Sequence, residues 1–263
     1  MDRIFPFSSL PPELQLDVFE CMDRATLHST VQVNQRWHNL SACMLWSYPS
    51  ARRVAALTLI QPLERRQYYA SKIRVLRIRE PKHCSAFNGL VFSSLRDLGL
   101  SSDIREPGSR FSIQAGSYSY FQAKLQAISV EHCIMHQNAL SQIKSHCASI
   151  TKIELCHAVR QFDDDVFAEF IQSLPCLRDF TLGNESTTTT IDSLFKITAD
   201  TLAPRIERLC LPCLTGSVEP EGFRKFMASC KSLNISASTT QKRADIKDYC
   251  LGNYWRMFCT STL

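Results

Sequence analysis

The sequence predicts an α/β chain in which a short three-helix module precedes an irregular solenoid of about seven to eight strand–helix units. Three observations predict it. Apolar residues near the N-terminus recur at helical spacing, the pattern apolar-x-x-apolar-x-apolar then returns along the remainder, and amphipathic helical stretches separate several of its copies. The chain has 263 residues, of which 44% are hydrophobic and 21% charged, enough to bury a sizeable core.

The first helix is predicted from LPPELQLDVFECM. Pro11 and Pro12 suit a first turn, where a missing N–H costs nothing, and Glu13 suits the positive end of the helix dipole. Leu10, Leu14 and Val18 recur at four-residue steps beside Phe19, making one apolar face. Asp23 is a candidate N-cap for a second helix carrying Leu27 and Val31. A third runs through Val33, Trp37 and Leu40 to Leu45 and Trp46. Three short helices bury too little surface to stand comfortably alone, so apolar side chains should remain exposed for a partner.

Residues 5 to about 48 resemble an F-box. Its opening Leu-Pro-x-Glu-Leu-x-x-x-Val/Ile-Phe is matched by Leu10, Pro11, Glu13, Leu14, Val18 and Phe19, and its central Leu by Leu27. Val33 and Trp37 match Val-Cys-x-x-Trp, and Leu45 and Trp46 the closing Leu-Trp. Asn34 departs from the family's Cys, which is expected to weaken one packing position. The resemblance implies docking on the Skp adaptor, which bridges to cullin and RING subunits. The residues expected to carry that docking are Leu10, Pro11, Leu14, Val18, Phe19, Leu27, Val33 and Trp37.

The repeated pattern appears as VAALTL, IRVLRI, LRDLGL, LQAISV, ITKIEL, LRDFTL and IERLCL, with a fading copy in CKSLNI. Its fourth positions are Leu57, Leu76, Leu98, Ile128, Ile153, Phe180, Leu209 and Leu233, spaced 19, 22, 30, 25, 27, 29 and 24 residues apart. Helical stretches between copies include NALSQIKSHCAS, DDVFAEFIQSLPC, TIDSLFKITADTL and EGFRKFMASC. The segment 103–121 and STTTT at 186–190 read as loops. This part is similar to the leucine-rich repeats found behind F-boxes in many fungal proteins, and Cys133 sits where that consensus allows Asn or Cys. The expected domains are an F-box over 1–50, repeats over 51–240 and a capping helix or tail over 241–263. Within the last, Ile246, Cys250 and Tyr254 offer a lid, and a frayed tail is the alternative.

Little in the sequence speaks for chemistry. Only 8 glycines are present, with no GxGxxG or P-loop pattern and no HExxH or GxSxG, so no catalytic residue and no cofactor is expected. Cys210-x-x-Cys213 is a lone half-site, and His132-Cys133-x-x-His136, with His146-Cys147, is a possible zinc set that the repeat consensus already explains. Asp163, Asp164 and Asp165 read as the cap of a helix beginning near Val166 rather than as a cation site. The opening MDRIFPFSSLPP is not a signal peptide and no apolar run reaches a membrane span, so the twelve cysteines are expected as thiols and the location as cytoplasmic or nuclear.

The net charge of +5 is uneven: residues 47–82 hold 9 Lys+Arg and 2 Asp+Glu, net +7. The expected function is that of a non-catalytic substrate receptor in a ubiquitin ligase, with a client protein on the outward face of the strands. That face carries Arg77 and Arg79, then Glu131, Glu154 and Asp179, so its charge should change sign along the solenoid. Arg77 and Arg79, with Arg52, Arg53 and Lys72 nearby, are candidates to clamp an acidic or phosphorylated segment. The alternative is an adaptor-binding protein that assembles no ligase, or a nucleic-acid binder using the basic belt.

Overall fold

The computed structural model describes residues 7–79, 87, 89–102, 112–113, 120–182, 202–212, 225, 228–230 and 234–238. A 3-10 turn over Phe7–Ser9 leads into α1 (Pro12–Glu20), α2 (Arg24–Thr30) and α3 (Gln35–Ser47). The side chain of Asp23 accepts the Thr26 N–H at 2.7 Å and so caps α2; this bond also holds its carboxyl below the usual carboxylate range. Asn34 does the same for α3, accepting the Trp37 N–H at 2.9 Å. The departure from Cys at this position therefore supplies a helix cap rather than a weakened packing contact.

The helical module has its own core, in which Phe19, Leu27 and Leu45 are buried with Trp37, Leu40 and Met44 packed against them. Phe7, Phe19 and Trp37 form a triangle of rings with centroids 5.2–5.9 Å apart. A buried hydroxyl pair, Thr30 and Ser41 at 2.6 Å, ties α2 to α3.

VAALTL, expected as the first strand of the repeat, is instead α4 (Ala51–Leu59), followed by α5 (Leu63–Ala70). Val54 and Leu57, three residues apart, are both buried, and Ala55 and Ala56 between them favour a helix. A short apolar run satisfies strand alternation and one helical turn about equally, so length and neighbours decide.

From Val75 the chain builds a seven-stranded parallel sheet in chain order: β1 (Val75–Ile78), β2 (Asp97–Ser101), β4 (Ala127–Glu131), β6 (Lys152–Cys156), β8 (Asp179–Leu182), β9 (Arg208–Pro212) and β10 (Asn234–Ser238). The register is constant, with Leu76, Leu98, Ile128, Ile153, Phe180, Leu209 and Ile235 in one row across all seven strands. The expected row ended at Leu233, two residues short of Ile235. A slip of two keeps every side chain on its face, so alternation in the sequence does not detect it.

A second row of bonds repeats at the strand entrances. The carbonyl of Arg74 accepts the N–H groups of Arg96 and Asp97, that of Arg96 those of Gln126 and Ala127, and so on through Gln126, Thr151 and Arg178. The first member also receives a tether, because Arg74 donates its N–H to the Ser47 carbonyl at the end of α3.

Behind this sheet lie α6 (Gln137–His146), α7 (Asp164–Gln172) and a three-stranded parallel sheet of β3 (Ser112–Ile113), β5 (Ile134–His136) and β7 (Val159–Gln161). Residues 112–113 are thus a strand within the segment expected as a loop, and Ile113, Tyr120 and Phe121 are buried. The helix after the Asp run starts at Asp164 with Asp163 as N-cap, two residues earlier than expected. One apolar core runs from Val54 to Leu209 beneath the sheet, and Trp46 packs against both it and the module core. The expected lid over 244–258, STTTT, TIDSLFKITADTL up to residue 201, and Cys213 lie outside the described residues.

Candidate docking surfaces

The expected docking residues divide by burial. On α1 the inward side chains are Gln15 and Phe19; the latter is 0% exposed, and Leu27 on α2 is 6% exposed. Trp37 is half-buried in the ring triangle. By contrast Leu14 is 48% exposed, Val18 39% and Val33, in the turn before α3, 57%. Pro11 is exposed and Leu10 half-buried. The apolar row of α1 therefore faces out, one turn apart at positions 14 and 18, and the helix is held down by the row beside it. Of the eight residues, Leu14, Val18, Val33 and Pro11 are open to a partner, whereas Phe19 and Leu27 shape the surface from within.

Residues 7–52 match the F-box-like family model. No curated protein matches the chain. The F-box-like domain carries the implication of docking on a Skp adaptor, and such domains typically belong to non-catalytic receptors. Its exposed apolar residues on α1 are the kind of unpartnered surface that a stable contact would cover.

The second surface is the outer face of the seven-stranded sheet. Burial alternates strictly on β4 and β6, so Ile128, Val130, Ile153 and Leu155 point in while Ser129 and Glu154 point out. The expected charges are present on this face, but they are largely neutralised at close range. Arg77 lies across Gly99 and forks onto Asp97 with bonds of 2.6 and 2.8 Å. A Cβ on Gly99 would stand 2.4 Å from the Arg77 side chain, so the glycine gives the arginine its path. Lys152 pairs with Glu154 at 2.7 Å, and Arg208 with Asp179 at 2.7 Å. Asp179 is nearly buried beneath its partner. Glu131 sits 3.7 Å from His132.

The expected change of sign is consequently replaced by neighbouring opposite charges, and Arg77 is not an open clamp. Arg79 is exposed at the end of β1. The other expected clamp members are elsewhere: Arg53 donates to the Leu45 carbonyl at the C-terminus of α3, and Lys72 lies over the Tyr68 ring at 5.0 Å. The pairings of Arg77 with Asp97 and of Arg208 with Asp179 are not legible in the sequence because each joins residues on different strands, whereas Lys152 and Glu154 lie two apart on the same face of β6.

The possible zinc set does not converge. The Cys133 thiol turns inward to the carbonyls of Glu131 (3.1 Å) and Leu100 (3.6 Å), His136 meets the Ser112 hydroxyl at 2.7 Å, and His132 stacks on His157 with centroids 4.6 Å apart. Among the described residues no group of three His, Cys, Asp or Glu could hold a metal ion. No helix among them is long and apolar enough to cross a membrane.

Proposed function

We propose that this chain is the substrate-recognition subunit of an SCF-type ubiquitin ligase, an F-box protein of the fungal type with leucine-rich repeats. The F-box-like domain with Leu14 and Val18 exposed on α1 is the observation that carries the reading. The repeat assignment is supported by seven parallel strands in chain order with one constant register row, and by the carbonyl at each strand entrance serving the next strand. The inward Cys133 thiol, bonded to carbonyls at the ends of two adjacent strands, does what a consensus Asn or Cys at that position must do.

In this reading the function is proximity. The F-box end docks on the Skp adaptor, and through it on cullin and RING subunits. The outer sheet face, with Arg77, Arg79, Glu131, Glu154 and Asp179, holds a client protein in the cytoplasm or nucleus. Tethering raises the effective concentration of client lysines near the charged enzyme, while the chemistry belongs to other subunits. The domains are then the F-box over 1–50, repeats over 51–240 with α4 and α5 as their helical entrance, and a terminal cap or tail. A nucleic-acid role is disfavoured by the basic belt itself, since Arg53 is used on a helix terminus and Arg77 on a carboxylate.

The test is affinity purification of the full chain with and without proteasome inhibition. Cullin and the Skp adaptor should co-purify in both cases, and clients should accumulate under inhibition. Recovery of the adaptor without cullin would refute the ligase assignment in favour of a non-ligase adaptor-binding protein.

A further inference from the structure

We propose that the cleft between the F-box-like helices and the linker helices is a second docking site, and that it takes a short acidic protein segment anchored by apolar side chains. The cleft measures about 460 Å³, within the range of ordinary ligand pockets, and its floor is apolar, with Ala42, Leu45 and Trp46 from α3 facing Ile60 and Tyr69. Trp46 and Tyr69 stack with centroids 4.8 Å apart, which makes a firm wall. Leu59, at the end of α4, stands 80% exposed on the rim.

The electrostatics select the occupant. The lining contains Arg65, His28 and His38 and no Asp or Glu among the described residues. The His28 Nε2 accepts from the Arg53 guanidinium 2.5 Å away, so the positive charge at this end of the rim is that of Arg53. Arg53 in turn is close enough to Arg24 for the two like charges to repel, which together with burial lowers the Arg53 pKa, burial being the larger cause. Both guanidiniums bond to backbone carbonyls at the end of α3, Leu45 and Tyr48, and neither meets a carboxylate among the described residues. An apolar floor with a cationic, carboxylate-free rim fits a peptide that brings its own acids.

The cleft is separate from the exposed row of α1. On α3, Trp37, Leu40 and Met44 face the Phe19 cluster, whereas His38 and Ala42, one turn apart, line the cleft; Trp46, a further turn on, touches both. An adaptor on α1 and a peptide in the cleft thus lie on opposite sides of one helix. The site is independent of whether the sheet face holds a client.

The experiment uses the full chain, alone and saturated with Skp adaptor, titrated against fluorescein-labelled twelve-residue peptides and read by anisotropy. One peptide carries Leu and Phe four residues apart among Asp and Glu; a second replaces the two apolar residues with Ser; a third replaces the acids with Lys. The first should bind saturably, with and without adaptor, at least tenfold tighter than either control. Arg65→Glu and Leu59→Asp, both at exposed positions, should each weaken it about tenfold while adaptor binding stays unchanged. Equal binding of the first two peptides would reduce the effect to unspecific charge and overturn the proposal. It is equally overturned by absence of binding, by insensitivity to both variants, or by displacement with adaptor or with a twelve-nucleotide single strand. A dimer of the chain that dissociates on Leu59→Asp would assign the cleft to a second copy instead. Failure of wild-type chain to bind adaptor at all would count against the F-box reading and leave the peptide arm to be judged on the free chain.

Discussion

Substituting Leu14 by Asp and Phe19 by Ala separates docking from folding on the same helix. Fully burying a leucine stabilises by about 1.5–3 kcal/mol. Leu14 remains 48% exposed, so roughly half of that, about 1 kcal/mol, is still available to a partner. An Asp in its place forfeits this gain and adds the cost of an unpaired carboxylate in a dry contact, a further several kcal/mol. The adaptor should then bind on the order of a hundredfold more weakly or worse, while the free chain, whose Leu14 contributes little to its own core, melts nearly as wild type. Phe19 is fully buried in the ring triangle, and truncating it to Ala costs about 3–5 kcal/mol of stability. That is a large share of what holds a small domain together, so Phe19→Ala should lose helical signal and adaptor binding together. Calorimetric titration with the Skp adaptor, beside thermal melts followed by circular dichroism, reads both effects. If Leu14→Asp binds within threefold of wild type, or Phe19→Ala melts unchanged, the division of the α1 residues into docking and core is wrong.

Four other expectations follow from particular contacts. Asn34→Ala should cost about 1 kcal/mol in urea unfolding through loss of the α3 cap. Ile153→Ala, in the centre of the register row, should cost about 2–5 kcal/mol in the same assay. The Arg77–Asp97 pair has side chains 47% and 29% exposed, so Arg77→Glu with Arg79→Glu should change stability by no more than about 1 kcal/mol, while abolishing capture of clients identified by purification; unchanged recovery would move the recognition surface elsewhere. Burial pushes the Cys147 thiol up to about 12 and that of Cys230 up to about 11, so both should react slowly with a thiol reagent at pH 8 in the native protein, well behind exposed Cys21 and Cys176. The sign for stability follows from the same shifts. In the unfolded chain these thiols release their protons near the ordinary value of 9.0, whereas the folded chain retains them. Their contribution is complete below pH 9 and is lost as pH rises toward 11–12, measurable as a falling urea midpoint in that window alone.

Much of the architecture was legible because it rests on patterns of the chain itself. The first two N-terminal helices follow from spacing and from Pro12 and Asp23, local signals; the third, expected through Val33, starts at Gln35, capped by Asn34. Six of the eight repeat copies became strands on the expected fourth residue, since strict alternation around Leu98, Ile153 or Leu209 admits one buried face. Where the period is ambiguous the reading broke down: VAALTL suits one turn of helix, and the last copy enters the register at Ile235, two residues after Leu233.

The surfaces were less legible, for a physical reason. An apolar row on a helix states that something will cover it, but not whether the cover is this chain or another. Burial of Phe19 beside exposure of Leu14 is decided by where α3 crosses α1. Likewise a list of outward charges does not specify their partners, and Arg77 found Asp97 only because a parallel strand placed Gly99 beneath its path. The sequence by itself determined the N-terminal helices and the order and inward residue of six strands of the large sheet, because these depend on local spacing. The tertiary structure alone decided which apolar residues stay open, which charges cancel, and that α3 meets α5 across a basic-rimmed cleft, because each depends on residues distant in the chain being brought within a few ångströms.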